Sequence, residues 1–500
     1  MNLMMLLEMA SGGFAERTAI GSLGTGLTYD QLFHRAGATA ARFREAGIDR
    51  VSMVDTSSEA LPIALFGSAW AGVPFVPLNY RLTGAELRNL AAEVAPSVTV
   101  CNPDALTTIG DVEGVRAVAR PDFLTQWAGT GGDSGDSDWG NDPDEIAILL
   151  YTSGTTGAPK AAVLRHKHLV SYIIGSVEFM GATEDEATLV SVPPYHVAGI
   201  AAILSSVYAG RRIVQLPNFD PAGWVNLVRT ENVTHAMVVP TMLARIVEHL
   251  EKVGGGLPSL RALSYGGGRM PAPVIYRALD LLPSTNFVNA YGLTETSSTV
   301  AVLGPDEHRE AHASDDPAVR ARLGSAGRPL PAIEVTIRDD EGNPVAPGTS
   351  GEIWVRGEQV SGEYLGRDSR VTPEGWFPTS DGGSMDAGGY LYVEGRMDDI
   401  IVRGGENISP GEIEDVLLSH PSVVDAAAVG VPDEQWGEAV AAVVVPATGQ
   451  TVDIAELQNF VKTRMRSSRT PDRIELRDEL PYNETGKLLR RILRDELTGT

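Results

Sequence analysis

The sequence has a single cysteine, Cys101, in 500 residues, which excludes an internal disulfide framework and any zinc cluster built on cysteines. That usage suits a reducing compartment, and a cytoplasmic location is the expectation. Cations are also scarce: 40 Lys plus Arg stand against 65 Asp plus Glu, a formal charge of -25. So acidic a surface repels phosphate backbones and anionic lipid, which removes nucleic acid as an expected partner. Any anion site must then be local, made of backbone N–H groups and a few placed cations. Aromatic residues reach only 6%, and no repeat occurs at solenoid or propeller spacing. A convincing membrane span is missing as well. The best candidate, residues 61–78, contains Gly67, Gly72, Pro74 and Pro77, which interrupt a continuous helix. It reads as a buried helix ending at Ala71, then a buried strand over residues 74–78. The apolar start, residues 1–10, has no Lys or Arg ahead of it and no small-residue cleavage site. It reads as a surface helix packing through Leu3, Leu6 and Leu7 rather than as a signal peptide.

What is present is ordinary for a large globular chain, with 43% hydrophobic and 21% charged residues. Short Val- and Ile-rich runs at residues 51–54, 98–101, 146–151, 213–216 and 235–239 alternate with helical stretches. That alternation predicts βα units and mainly parallel sheets. Residues 128–144, rich in Gly, Asp and Ser, read as a solvated linker. From about residue 332 to 392 the pattern shifts to short strands with Gly and Pro turns, and Asp339 to Pro344 read as a hairpin turn. The last hundred residues form a unit of their own, with helices over 409–420 and 453–465 and a strand over 440–445. The expected fold class is α/β: a large N-terminal domain of mainly parallel sheets with helices and a β-rich subdomain, then a small α+β C-terminal domain.

One loop carries chemistry. The strand at 146–151 runs into Thr152-Ser153-Gly154-Thr155-Thr156-Gly157-Ala158-Pro159-Lys160. Glycines let N–H groups converge on an anion, hydroxyls add donors, and Lys160 adds charge. It is not a Walker A loop, because no Gly-Lys pair is present and Ala161 follows the lysine. Taken alone it is equally a Gly/Thr-rich turn.

Other segments follow it in order. They are Pro193-Pro194-Tyr195-His196-Val197-Ala198-Gly199, Ser264-Tyr265-Gly266-Gly267-Gly268, and Asn289-Ala290-Tyr291-Gly292-Leu293-Thr294-Glu295. After them come Thr379-Ser380-Asp381, Gly395-Arg396-Met397-Asp398-Asp399, Gly404-Gly405-Glu406-Asn407-Ile408 and Thr485-Gly486-Lys487. Each segment alone is weak. Together, over nearly the whole chain, the sequence resembles the adenylate-forming superfamily, which includes acyl-CoA synthetases, adenylation domains and luciferases.

The resemblance implies two half-reactions. A carboxylic acid attacks the α-phosphorus of ATP to give acyl-AMP and pyrophosphate, and a thiol then displaces AMP. It implies ATP, Mg²⁺ and coenzyme A as cofactors; the alternative is an adenylating enzyme that passes the acyl group to a carrier-protein thiol or performs mainly the adenylation half-reaction. By the same resemblance, the loop from Thr152 to Lys160 holds the β- and γ-phosphates, Thr294 bonds the α-phosphate and Glu295 helps hold Mg²⁺. Tyr291 stacks on adenine, with Asn289, Ala290 and Gly292 beside it and the Gly267–Gly268 backbone on the other face, and Arg269 joins the nucleotide-binding set. Asp381 and Arg396 take the ribose hydroxyls. Lys487 supplies the mobile charge for the first half-reaction. Asp398 marks the pivot, giving domains at residues 1–397 and 398–500, and Gly404 and Gly405 approach the pantetheine arm after rotation. His196 gates the acid pocket, whose small wall candidates (Ala198, Gly199, Gly266 and residues 297–299) leave room for a bulky or cyclic acid.

Three positions depart from the pattern: Ala161 and Ser380 stand where Gly is usual, and Tyr265 where a small residue is common. None removes a group the chemistry needs. The basic run Lys462, Arg464, Arg466, Arg469 and Arg473 reads first as a solvated helix end and second as a contact for coenzyme A phosphates. A non-catalytic nucleotide-binding scaffold is the reading from another class. Such a scaffold has no need of Lys487, Glu295 and Asp381 together.

Overall fold

The computed structural model describes residues 1–129, 138–152, 159–450, 452–482 and 488–499. A six-stranded sheet runs in the order Val115–Ala119, Ser97–Cys101, Arg50–Val54, Phe75–Pro77, Ile146–Thr152, Lys160–Arg165. All its pairs are parallel except the last, which folds the chain back after the expected phosphate loop. A nine-stranded sheet has a parallel centre: Asn286–Leu293, Ala262–Gly266, His235–Val238, Ala187–Val190, Arg212–Gln215 and Thr18–Ile20. Ser298–Leu303 returns antiparallel along Asn286–Leu293 at one side. Strands covered on both faces read as near-continuous apolar runs rather than alternating ones, which is why the Val/Ile runs marked them.

Between the two sheets lies the largest core. Its centre is the helix Ala60–Ala71, buried from Ala60 through Trp70. A helix that is apolar all round belongs in an interior, and this one stops at Gly72 before the strand Phe75–Pro77. Among the described residues no helix is long and apolar enough to cross a membrane. Removing a side chain such as the buried Trp70 would cost about 3–5 kcal/mol. The N-terminal helix spans Met4–Phe14, longer than the sequence suggested, and packs through Leu6 and Leu7 with Leu3 just before it.

The β-rich part is a four-stranded antiparallel sheet of Glu334–Arg338, Gly351–Arg356, Phe377–Met385 and Leu391–Arg396. The Asp339 turn closes with the Asp339 N–H donating to the Asn343 carbonyl at 3.0 Å. It leads only to a single bridge, Arg338 with Pro344, and the next full strand waits until Gly351. After the short turn Met397–Asp399, which carries Asp398, a separate five-stranded sheet builds the C-terminal unit. Its helices Pro410–Leu418, Ile454–Lys462 and Arg490–Thr498 cover two cores of its own.

Candidate active site

Most candidate residues of the large domain lie at the carboxyl ends of its parallel strands, where open α/β sheets leave a crevice, while Asp381 and Arg396 come from the antiparallel β-rich sheet. Asn286–Leu293 carries Asn289, Ala290, Tyr291 and Gly292, and the neighbouring Ala262–Gly266 leads into Gly267, Gly268 and Arg269. Gly292 pairs with Thr299 on the returning strand. A Cβ at Gly292 would fall 1.8 Å from the Ser298 carbonyl oxygen, so only glycine admits so close a return. The tight turn Thr294–Thr296 follows, presenting Thr294 and Glu295, and closes on Ser297 at φ 57°.

Glu295 is buried and fixed at both ends. The Tyr364 hydroxyl donates to its Oε1, while its carbonyl accepts the N–H groups of Ser361 and Gly362 at 2.8 and 3.2 Å. The same segment is bonded to the strand that leaves the phosphate loop: Val163 N–H donates to the Glu363 carbonyl, and Leu365 N–H to Ala161, both at 2.9 Å. Loop strand, carboxylate and tyrosine therefore form one bonded unit. Burial, then the Glu295 charge, pushes the Tyr364 phenol above its ordinary range, so it stays a donor. Thr152 pairs with Lys160 at the mouth of the loop, and the Thr152 hydroxyl reaches the Lys160 carbonyl at 3.3 Å. Ser153, Gly154, Thr155, Thr156 and Gly157 lie outside the described residues, as does Lys487.

Asp381 is the second fixed carboxylate. The Tyr291 hydroxyl donates to Oδ2 at 2.7 Å, and Arg396 Nε lies 3.2 Å from Oδ1. Register brings Asp381 opposite Arg396, whose Nη1 also donates to the Thr379 carbonyl at 2.9 Å. Burial works against the Arg396 charge, but Asp381 and Glu295 outweigh it and hold the guanidinium firmly protonated. Ahead of Asp381, Ser380 adopts φ 61°, which explains why glycine is usual there. Its strain, of order 1–2 kcal/mol, is offset locally by the Ser380 N–H on Glu352 at 2.9 Å and an Arg370 contact to Oγ at 3.0 Å.

His196 sits at the start of the helix Val197–Ala209 without capping it. Its ring packs 4.8 Å from that of Tyr195, which meets Tyr80 edge-on. Its Nε2 is buried with no hydrogen-bond partner among the described residues. Burial, then the Arg81 charge, lowers its pKa to about 4, so the ring is neutral at physiological pH. Tyr265 proves to be a packing residue: fully buried, it bonds His308 Nε2 at 2.8 Å on the outer side of the sheet. Asn289 is likewise committed to the scaffold, donating to the Ser325 carbonyl at 2.8 Å. The Arg269 guanidinium is held by Asp415 of the C-terminal unit. Gly404 lies against the exposed Trp436 ring, and Gly405 opens to free space. In the basic run, Arg469 is paired with Glu412, Arg473 with Glu475, and Arg464 covers the Phe460 ring.

Tyr364 carried no sequence signal. It stands in an irregular segment 69 residues from its partner Glu295, and only the folded register connects them. The donor set suits Mg²⁺ arriving with a nucleotide. Among the described residues no group of three His, Cys, Asp or Glu could cage a metal, and one carboxylate plus substrate phosphates is how this ion is commonly held.

Comparison with known proteins agrees with this geometry. Residues 7–365 match the family model of the AMP-binding enzyme and residues 412–487 that of the AMP-binding enzyme C-terminal domain. A feruloyl-CoA synthase of an Amycolatopsis species is 35% identical over 488 residues, covering 95% of this chain and 94% of its own. The fatty acid–[acyl-carrier-protein] ligase ScoC of Streptomyces coeruleorubidus is 32% identical, covering 95% of this chain and 92% of its own. The o-succinylbenzoate CoA synthetase MenE of Bacillus subtilis, solved with its acyl-adenylate intermediate, superposes with a TM-score of 0.85 at 29% identity, covering 98% of each chain. Its complex with ATP and magnesium ion also gives 0.85, at 28% identity over 98% of this chain and 99% of its own.

Proposed function

The chain belongs to the AMP-binding enzyme family, and from that premise we propose which of its residues perform each step of an ATP-dependent acid–thiol ligation. The enzyme is an AMP-forming acyl-CoA synthetase: it converts a carboxylic acid and ATP to acyl-AMP and pyrophosphate, then passes the acyl group to coenzyme A. Coenzyme A is the better-supported acceptor, and a carrier-protein thiol the lesser alternative. The observation that carries the reading is the convergence of Tyr291, Asp381 and Arg396 beside Glu295, where the nine-stranded sheet meets the β-rich sheet.

Bringing a carboxylate to a triphosphate sets anion against anion, so the catalytic task is neutralisation along the line of attack. The loop from Thr152 to Lys160 holds the β- and γ-phosphates, so that pyrophosphate leaves opposite the incoming oxygen. Glu295, kept in place by Tyr364, and Thr294 face the α-phosphate; Mg²⁺ bound there supplies charge neutralisation. Asp381 accepts from the ribose hydroxyls, its own position set by Tyr291 and Arg396. The Tyr291 ring and the backbone of Gly267 and Gly268 flank adenine. Lys487 brings its ammonium to the acyl and α-phosphate oxygens while the new C–O–P bridge forms and the bond to pyrophosphate breaks. In the second half-reaction the sulfur attacks the acyl carbon and the C–O bond to AMP breaks, with Gly404 and Gly405 lining the thiol's approach and His196 turning aside to admit it.

The two reactions need different neighbours over the same atoms, which is met by a pivot at Asp398 between residues 1–397 and 398–500. The small residues Ala198 and Gly199, together with a relative named for feruloyl-CoA and another for o-succinylbenzoate, support a bulky or cyclic acid. A panel of acetate, fatty, cinnamic and benzoic acids in a pyrophosphate-release assay tests this. Preference for acetate or for long alkyl chains would overturn it.

A further inference from the structure

Arg269 stands just beyond the glycines that flank the adenine position, and its guanidinium donates to Oδ2 of Asp415 on the helix Pro410–Leu418. The contact joins the two parts of the chain across 146 residues. It is closely packed, because a Cβ at Gly411, one turn earlier on that helix, would fall 1.9 Å from Arg269 Nη1. A second bond crosses nearby, the Ser409 hydroxyl donating to the Glu394 carbonyl at 2.9 Å. On the same helix Glu414 grips Arg490 with both oxygens, at 2.6 and 2.7 Å. Arg490 lies three residues after Lys487 in the sequence, and it feels the charge of Asp399 at the pivot. One helix therefore holds the nucleotide-flanking loop through Asp415 and, through Glu414, the base of the segment that follows the lysine.

We propose that the Arg269–Asp415 pair is a latch that keeps the C-terminal unit in the arrangement used to form the acyl-adenylate, and that it opens before the thiol step. The proposal rests on the two-step reading above. Both side chains are about one-third exposed, and such pairs bias an equilibrium modestly. A latch that must open once per turnover needs that modest strength, since two arrangements that alternate can differ only slightly in free energy. Arg269 and Asp415 are thus positioning residues; neither needs to touch a reacting atom.

The test uses the full chain and both half-reactions: pyrophosphate exchange with acid and ATP, and thioester formation from supplied acyl-adenylate. Asp415→Ala and Arg269→Ala should each lower exchange relative to thioester formation by about two- to fivefold, the worth of such an ion pair. The charge-swapped double variant, Arg269→Asp with Asp415→Arg, should recover most of that ratio, and Asp415→Ala should leave the KM for ATP unchanged. Equal loss in both half-reactions, loss confined to the thiol step, or a swap that fails to recover the ratio would overturn the latch. A wild-type enzyme that exchanges no pyrophosphate with any acid would overturn the underlying reading and the latch with it. An active wild type with unaffected variants removes the latch alone.

Discussion

The phenol of Tyr291 and the carboxylate of Asp381, 90 residues apart in sequence, meet at 2.7 Å. That bond ties the central sheet to the β-rich sheet where the nucleotide is proposed to lie. Tyr291→Phe keeps the ring for stacking but removes the phenol's hydrogen bond to a buried carboxylate. The KM for ATP in pyrophosphate exchange should rise about tenfold or more, the worth of one hydrogen bond to a charged group, with the fold intact by circular dichroism. An unchanged KM would show that the bond does not position Asp381.

Lys487→Ala should depress pyrophosphate exchange by about a hundredfold or more, the scale of losing one charge-stabilising donor. Thioester formation from supplied acyl-adenylate should stay close to wild type. Equal loss in both assays would contradict a role confined to the first half-reaction.

Ser380 offers a stability test free of catalysis. At φ 61° its Cβ is strained, so Ser380→Gly should raise the free energy of urea unfolding by about 0.5–1 kcal/mol. Ser380→Val should lower it by about 1–2 kcal/mol. The reverse order would mean that the Arg370 contact to Oγ governs the position.

Acid should weaken the protein through its buried histidines. His308 has Nδ1 on the Gly304 carbonyl at 2.7 Å and Nε2 on Tyr265, so the neutral ring donates through Nδ1 and accepts at Nε2. Burial lowers its pKa from 6.5 to about 4. The unfolded chain therefore takes up the proton first. The stability held above pH 6.5 is lost as pH falls toward 4, by about 2 kcal/mol at pH 5 from this residue. Urea unfolding at pH 7 and pH 5 should show the loss, and His308→Gln should reduce it by about that amount. A pH-independent difference between wild type and variant would refute the assignment.

Much of the fold could be read from apolar periodicity. The stretch 61–78 resolves into a helix and strand because Gly72 can adopt the left-handed stop that ends the helix. The runs at 51–54 and 98–101 lie side by side in parallel register. The carboxylates Glu295 and Asp381 were visible as members of ordered segments. Their partners were not: Tyr364 sits in no repeating pattern, and Arg269 gives no local hint of an aspartate 146 residues away. Tyr265 could equally have faced the pocket, and only its bond to His308 decides the side of the sheet. Side-chain pairings between distant segments depend on register and docking, which local composition does not encode.

The close return at Gly292 has one more consequence. The atoms that press on that glycine are main-chain atoms of Ser298 and Thr299, which a change of side chain at 298 or 299 leaves in place. Changing which acid the enzyme accepts should therefore depend on side chains, at Ala198 and at Tyr172, whose hydroxyl lies 3.4 Å from Thr299 Oγ1.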